Sequence, residues 1–247
     1  MHNVFRFCAE VDMLAHWLKK YTTDLLPPHC EVCQLDIESD ARLSWLCEHC
    51  QRYIVERPRC ACCGLPTQML VEVCGRCLTD PPDWHHVYCV GDYQQPISGY
   101  VHKLKYERQF WQAGKLASVL APRITQPAEL LTSVPLHWQR HWQRGFNQSE
   151  LIALSLAKQL NRPYAKLFKR TRATSAQQGK NRTQRIRNLR GAFQLVQPVN
   201  VSHVAIVDDV LTTGSTVQHL CKLLLEAGVK TVDIYCICRT PEPTDKP

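Results

Sequence analysis

Val204-Ala205-Ile206-Val207-Asp208-Asp209-Val210-Leu211-Thr212-Thr213-Gly214-Ser215-Thr216 is the stretch that decides how this chain folds. Four apolar residues in a row, Val204 to Val207, predict a strand buried on both faces of a parallel sheet. Asp208 and Asp209 stand at the C-terminal end of that strand, where open α/β sheets place their ligands. The small polar turn leads into a segment where Leu220, Leu223, Leu224 and Ala227 recur at helical spacing, and Gly228 is a C-terminal stop. Thr231 to Cys238 reads as the next strand and closes a βαβ unit. The fold class is therefore α/β, a parallel sheet flanked by helices.

The chemistry follows from the same residues. Backbone N–H groups of the turn Thr212, Thr213, Gly214, Ser215 and Thr216 make a nest for a phosphate, and the hydroxyls add donors. Gly214 lets the backbone approach closely. The two carboxylates suit hydroxyl groups, as on a ribose, or a Mg²⁺ shared with phosphates. A ribose 5-phosphate fits both halves. Neither GxxxxGK[ST] nor GxGxxG occurs, so this is not a Walker or dinucleotide loop. The plainer alternative, an ordinary strand and a capped helix, leaves two adjacent acids uncompensated.

Upstream, nine of the fourteen cysteines fall between Cys30 and Cys77. Four CxxC pairs occur in order: Cys30/Cys33, Cys47/Cys50, Cys60/Cys63 and Cys74/Cys77. Thirteen residues separate the first two pairs and ten the second two. Each pair presents two thiolates to one metal, and two pairs complete the tetrahedral shell that Zn²⁺ prefers. Closed four-thiolate shells predict two structural zincs, paired consecutively or in a cross-brace. Metal binding would supply the folding free energy that so short a segment lacks. Cys62 is a spare, and Cys89, Cys221, Cys236 and Cys238 read as small hydrophobes. A redox CxxC would use one pair on a βαβ frame and fits less well. Pro81-Pro82 makes a stiff joint. The boundaries are thus an N-terminal extension over 1–28, with Phe7, Val11, Leu14 and Leu18 at helical spacing, a double zinc ribbon over 29–82, the sheet domain over 83–240 and a tail over 241–247.

Hydrophobic residues make up 45 %, which excludes wholesale disorder. No apolar run approaches the roughly 18 residues of a membrane span, and no secretory signal is visible. A cytoplasmic protein with reduced thiols is expected, which favours metal over disulfides. Net charge is 30 − 22 = +8, but residues 100–190 hold 18 bases and three acids, a net +15. Such a field suits an anionic partner, a phosphate-bearing small molecule or nucleic acid, unless it is only a solvated face. His137-Trp138-Gln139-Arg140 is followed at once by His141-Trp142-Gln143-Arg144, which places Trp138 and Trp142 four apart. On a helix they would either stack on a single strand or pack on the domain. No long-period repeat is evident.

Together the residues resemble a known family. Val204 to Thr216 is similar to the 5-phosphoribosyl-1-pyrophosphate (PRPP) motif of type I phosphoribosyltransferases. Ser133-Val134-Pro135-Leu136 with Arg144-Gly145-Phe146-Asn147-Gln148-Ser149, the stretch Arg170 to Thr174 with Gln177, Arg185, Asn188, Ala192 and Phe193, and the paired CxxC module narrow the resemblance to the ComF/GntX family over about residues 13–240. The resemblance implies a type I phosphoribosyltransferase-like domain. It implies that Asp208 and Asp209 hold the ribose hydroxyls of PRPP, that Thr212 to Thr216 cradle its 5-phosphate, and that Pro135, Leu136 and Arg144 lie near the pyrophosphate with Mg²⁺. The stretch 170–188 resembles a mobile loop, with a departure at Lys180 where relatives often carry Leu. A role in uptake and use of external DNA, with single-stranded DNA and DNA-uptake proteins as partners, is implied as well. The alternative is an active transferase moving phosphoribose to a nitrogenous acceptor with release of pyrophosphate, in which case Asp208 and Asp209 are catalytic.

Overall fold

The computed structural model describes residues 28–38, 43–54, 57–136, 145–171 and 191–240. The expected N-terminal helix, the tandem tryptophans, Arg144, the stretch 172–190 and the tail lie outside the described residues. The chain divides after Tyr53 into two compact units.

The first unit carries one cysteine knuckle and helix α1 (Glu48–Tyr53). The second opens on another knuckle and helix α2 (Gly75–Thr79). The two knuckles are built alike, 30 residues apart. Cys30 N–H donates to Leu35 O and Cys60 N–H to Leu65 O, while Ile37 N–H reaches Pro28 O and Thr67 N–H reaches Pro58 O. Isolated bridges His29–Asp36 and Arg59–Pro66 repeat the same offsets. The residue after each CxxC turns left-handed, Gln34 at φ 63° and Gly64 at φ 71°. A repeat is therefore present, contrary to the sequence reading. Its signature is Pro-x-Cys-x-x-Cys-x-Leu at Pro28 and again at Pro58, too short to stand out once the downstream spacings differ.

The rest of the second unit is a four-stranded parallel sheet in the order β1-β6-β5-β2, with a separate antiparallel pair β3-β4. The strands are β1 (His86–Asp92), β2 (Leu130–Ser133), β3 (Phe168–Arg170), β4 (Phe193–Leu195), β5 (His203–Leu211) and β6 (Thr231–Arg239). Helices α3 (Ile97–Tyr106), α4 (Gln112–Leu120) and α5 (Gln148–Leu160) join β1 to β2 and follow β2, and α6 (Ser215–Glu226) joins β5 to β6. Alternation along the strands sends Val204 and Ile206 of β5, with Val232, Ile234 and Cys236 of β6, into one core with Val217, Leu220 and Leu224 of α6 and Phe168 and Phe193 of the pair. Ala205 and Val207 are equally buried on the opposite face, where α5 packs on β2 and β5. Burial on both faces is why these strands read as continuous apolar runs. Among the described residues no helix is long and apolar enough to cross a membrane.

This topology positions the site. The neighbours β2 and β5 send their chains to opposite faces, β2 toward α5 and β5 toward α6. Their C-terminal edge is thus a switch point, where such sheets open a crevice.

Candidate functional site

Strand β5 does not stop at Val207. Its ladder to β6 continues through Asp208, paired with Cys236, to Leu211, paired with Arg239. Asp208 and Asp209 follow one another there, and each is held by a different helix. Asp208 Oδ1 accepts from Ser149 Oγ at 2.9 Å and from the Asp209 N–H at 2.9 Å. Asp209 is 5 % exposed, and Lys105 Nζ from the last turn of α3 lies 2.9 Å from its Oδ1. The acids are therefore not both uncompensated, as the sequence alone suggested. Asp209 Oδ2 is buried without a hydrogen-bond partner. Asp208 is partly exposed as a residue, yet burial first and the Asp209 charge second push its carboxyl up to about 7. Asp209 is thus paired with a lysine, while burial raises the Asp208 carboxyl.

Ser149 reaches Asp208 because Asn147 starts α5. The Asn147 side chain accepts from Ser149 N–H at 3.1 Å and donates through Nδ2 to Val134 O at 3.0 Å. Val134 N–H in turn donates to Val207 O at 3.0 Å, so Pro135 and Leu136 leave β2 directly beside β5.

Past Leu211 the chain turns through Thr212, Thr213 and Gly214 into the twelve-residue α6. Gly214 takes φ 75°, and its missing Cβ would stand 2.8 Å from the Trp84 ring. The glycine is needed for that packing as well as for its backbone angle, so a larger residue there displaces Trp84 before it meets any phosphate. Thr213 Oγ1 lies 2.8 Å from Ser215 Oγ. Gly214 offers α6 no side-chain cap, and Ser215 N–H meets Thr213 Oγ1 at 3.4 Å, which leaves the next N–H groups and the positive dipole end of the helix at this edge.

The turn is clamped from behind. Arg239, 4 % exposed, donates Nε–H to Cys63 O at 2.9 Å and Nη1 to Leu211 O at 3.1 Å, and also meets Thr212 O and Thr240 O. Trp84 donates Nε1–H to Cys62 O at 2.8 Å, and Val87 N–H donates to Ala61 O at 2.8 Å. Three consecutive carbonyls of the second knuckle are thus tied to the sheet and to the turn that follows β5. Gly64 allows this approach, since a Cβ there would lie 2.8 Å from Val87.

Cys30, Cys33, Cys47 and Cys50 form one tetrad, and Cys60, Cys63, Cys74 and Cys77 another, with the sulfurs of each within 4.8 Å of one another. The geometry is consecutive, not a cross-brace. Four thiolates about 2.3 Å from a tetrahedral Zn²⁺ stand roughly 3.8 Å apart. Cys33–Cys47 at 3.7 Å, Cys63–Cys74 at 3.8 Å and Cys74–Cys77 at 3.7 Å fit that shell. Both tetrads could therefore hold a metal ion. Cys62 lies outside the second tetrad and contributes its carbonyl.

Of the residues expected at the site, the structure brings Asp208, Asp209, Thr212 to Thr216, Pro135 and Leu136 to one edge of the sheet. Lys105, Trp84 and Arg239 were missed. Nothing local marks them: Lys105 is one lysine of an amphipathic helix, and Arg239 ends an apolar strand.

Residues 147–247 match the phosphoribosyl transferase domain family. The chain is 40 % identical over 226 residues to the DNA utilization protein YhgH of Salmonella typhimurium, covering 87 % of this chain and 98 % of the relative. It is 35 % identical over 206 residues to Competence protein F of Haemophilus influenzae, covering 78 % and 90 %. Among solved structures, the glutamine PRPP amidotransferase of B. subtilis matches half of this chain and 25 % of its own at 22 % identity and a TM-score of 0.35.

Proposed function

The chain belongs to the ComF/GntX family, and on that footing we propose that it is a protein of DNA uptake and utilisation that binds PRPP with Mg²⁺ and handles imported single-stranded DNA. The observation that carries the PRPP reading is the carboxylate pair Asp208 and Asp209 at the C-terminal edge of β5, followed by the hydroxyl-rich turn Thr212 to Thr216 at the start of α6. A ribose offers hydroxyl donors to the pair and a 5-phosphate to the turn. Pro135 and Leu136, leaving β2 beside them, are assigned to the pyrophosphate end with Arg144. Mg²⁺, when bound, neutralises charge at the pyrophosphate. Zn²⁺ in the two tetrads is assigned a structural role, because four thiolates leave no open position. The DNA reading rests on what the relatives are named for and on the net +15 of residues 100–190.

Calorimetry with Mg²⁺ and PRPP tests the site. Asp208→Asn keeps an oxygen for Ser149 and for the Asp209 N–H while removing the charge, so the fold should survive. A hydrogen bond to a charged group is worth roughly 1.5–3 kcal/mol, so binding should weaken about tenfold or more. Wild type that ignores PRPP at millimolar concentration removes the reading. A gel shift with a single-stranded oligonucleotide tests the DNA arm, where affinity should fall steeply with salt as counterions are released. Pyrophosphate release with a nitrogenous acceptor would favour the transferase alternative.

A further inference from the structure

Three of the large aromatic side chains most open to solvent among the described residues fall in one short stretch: Tyr106 at 61 %, Phe110 at 47 % and Trp111 at 61 %. This stretch is the connection between α3 and α4, where Arg108 turns the chain at φ 55°. A lone exposed ring is ordinary. These rings are grouped, and cations are set among them. Lys103 and Arg108 are exposed in the same segment. Its single acid, Glu107, accepts from Gln109 Nε2 at 3.1 Å and lies 3.4 Å from His102 Nδ1. Phe110 also meets Phe146 edge to face, at 4.7 Å between centroids.

The place of these rings gives them meaning. Phe110 follows Lys105, whose ammonium pairs with Asp209. Phe146 precedes Ser149, whose hydroxyl donates to Asp208. The ring pair therefore joins the segment after Lys105 to the segment before Ser149, the two residues that hold the carboxylates.

We propose that Tyr106, Phe110 and Trp111, with Lys103 and Arg108, form the surface on which single-stranded DNA stacks its bases beside the carboxylate pair. The proposal rests on the DNA-handling reading above and says where the strand lies. Rings offer a face to any base, and neighbouring cations follow the phosphates, which is the general design of single-strand binding. A free nucleobase is less suited, since rings this open touch only one face of a ligand. A strand sums several such contacts.

Fluorescence anisotropy decides it, using a labelled oligothymidine and an abasic strand of equal length. Tyr106→Ala with Trp111→Ala should weaken oligothymidine binding about tenfold or more and leave abasic-strand binding and PRPP calorimetry unchanged. Trp111→Tyr, which keeps a ring, should restore most of the affinity. Circular dichroism checks that each variant is folded. If the double variant binds oligothymidine like wild type, the surface is wrong while DNA binding stands. If wild type binds both strands equally well, stacking is wrong. If free thymidine displaces the strand at equal base concentration, the site is a nucleobase pocket and the proposal is overturned. Wild type that binds neither strand overturns the DNA reading itself.

Discussion

Arg239→Met replaces a buried fork with an apolar chain of similar bulk. In the native protein the guanidinium serves four carbonyls, those of Cys63, Leu211, Thr212 and Thr240. One Nη1 cannot satisfy three acceptors fully, so the set counts as about two strong bonds at roughly 1.5–3 kcal/mol each. Against this stands the cost of burying the charge, visible in the pKa of Arg239, which burial lowers from its ordinary value. No carboxylate pairs with it among these contacts, so methionine recovers part of that cost. The net loss should be about 3 kcal/mol. At roughly 2–4 °C per kcal/mol for a unit of this size, the melting temperature should fall by about 6–12 °C. Arg239→Lys should lose about half as much, since one ammonium cannot span Cys63 O and Leu211 O together. Scanning calorimetry gives the transition, and titration with Mg²⁺ and PRPP should show weaker binding as the turn loosens. A methionine variant that melts within about 2 °C of wild type and binds PRPP unchanged would refute the clamp.

Two further outcomes are expected. The Asp208 carboxyl is raised to about 7 in the folded chain from an ordinary 3.8, so the folded state holds its proton more tightly than the unfolded chain. Stability from this group is present at low pH and is lost as pH rises from about 4 through 7, by at most about 1.4 kcal/mol per pH unit. Urea melts of wild type against Asp208→Asn isolate that slope, and PRPP affinity should rise between pH 6 and 8 in wild type more than in the variant. Metal analysis after anaerobic purification should find two zincs per chain, and Cys63→Ser should lose one of them together with PRPP affinity. One zinc or none in wild type, or a Cys63→Ser chain that binds PRPP normally, counts against this.

The fold was legible because its central elements are extreme. Val204 to Val207 are apolar without interruption, and only a strand covered on both faces has that need. Leu220 and Leu224 sit one helical turn apart and are both fully buried. What the sequence concealed was the effect of the ladder on the acids. Pairing to β6 runs on to Leu211 and sets the two neighbours against different helices, one held by Ser149 of α5 and the other by Lys105 of α3. Lys105 lies 104 positions before Asp209 (209 − 105). No local pattern can foretell a pairing made by the packing of α3 against the sheet edge. The knuckle repeat escaped for a different reason. Its first halves match in backbone, but Trp45 O serves Glu31 N–H in one, while Val71 O and Glu72 O serve Ala61 and Cys62 N–H in the other. The return strands differ, and so do the spacings.

The second knuckle is better understood as part of the support behind this turn than as a module placed before it. The carbonyls of this turn face back into the protein and need donors there. Local side chains do not supply them: Thr213 turns to Ser215, and Gly214 has nothing to give. Arg239 supplies them from β6, and its Nε is held by the knuckle. Trp84 fills the space behind Gly214, and its Nε1 is also held by the knuckle. Further along, Asp83 accepts from Gln218 Nε2 of α6 at 2.7 Å and fastens the joint after Pro82 to the same helix. Each of these ties ends on a carbonyl or linker whose position depends on Cys60, Cys63, Cys74 and Cys77 staying gathered. Their sulfurs are thiolates when metal-bound, and without a cation they take up protons and nothing draws them together. Metal in that tetrad would therefore fix the donors behind the turn, and the turn the N–H groups in front of it.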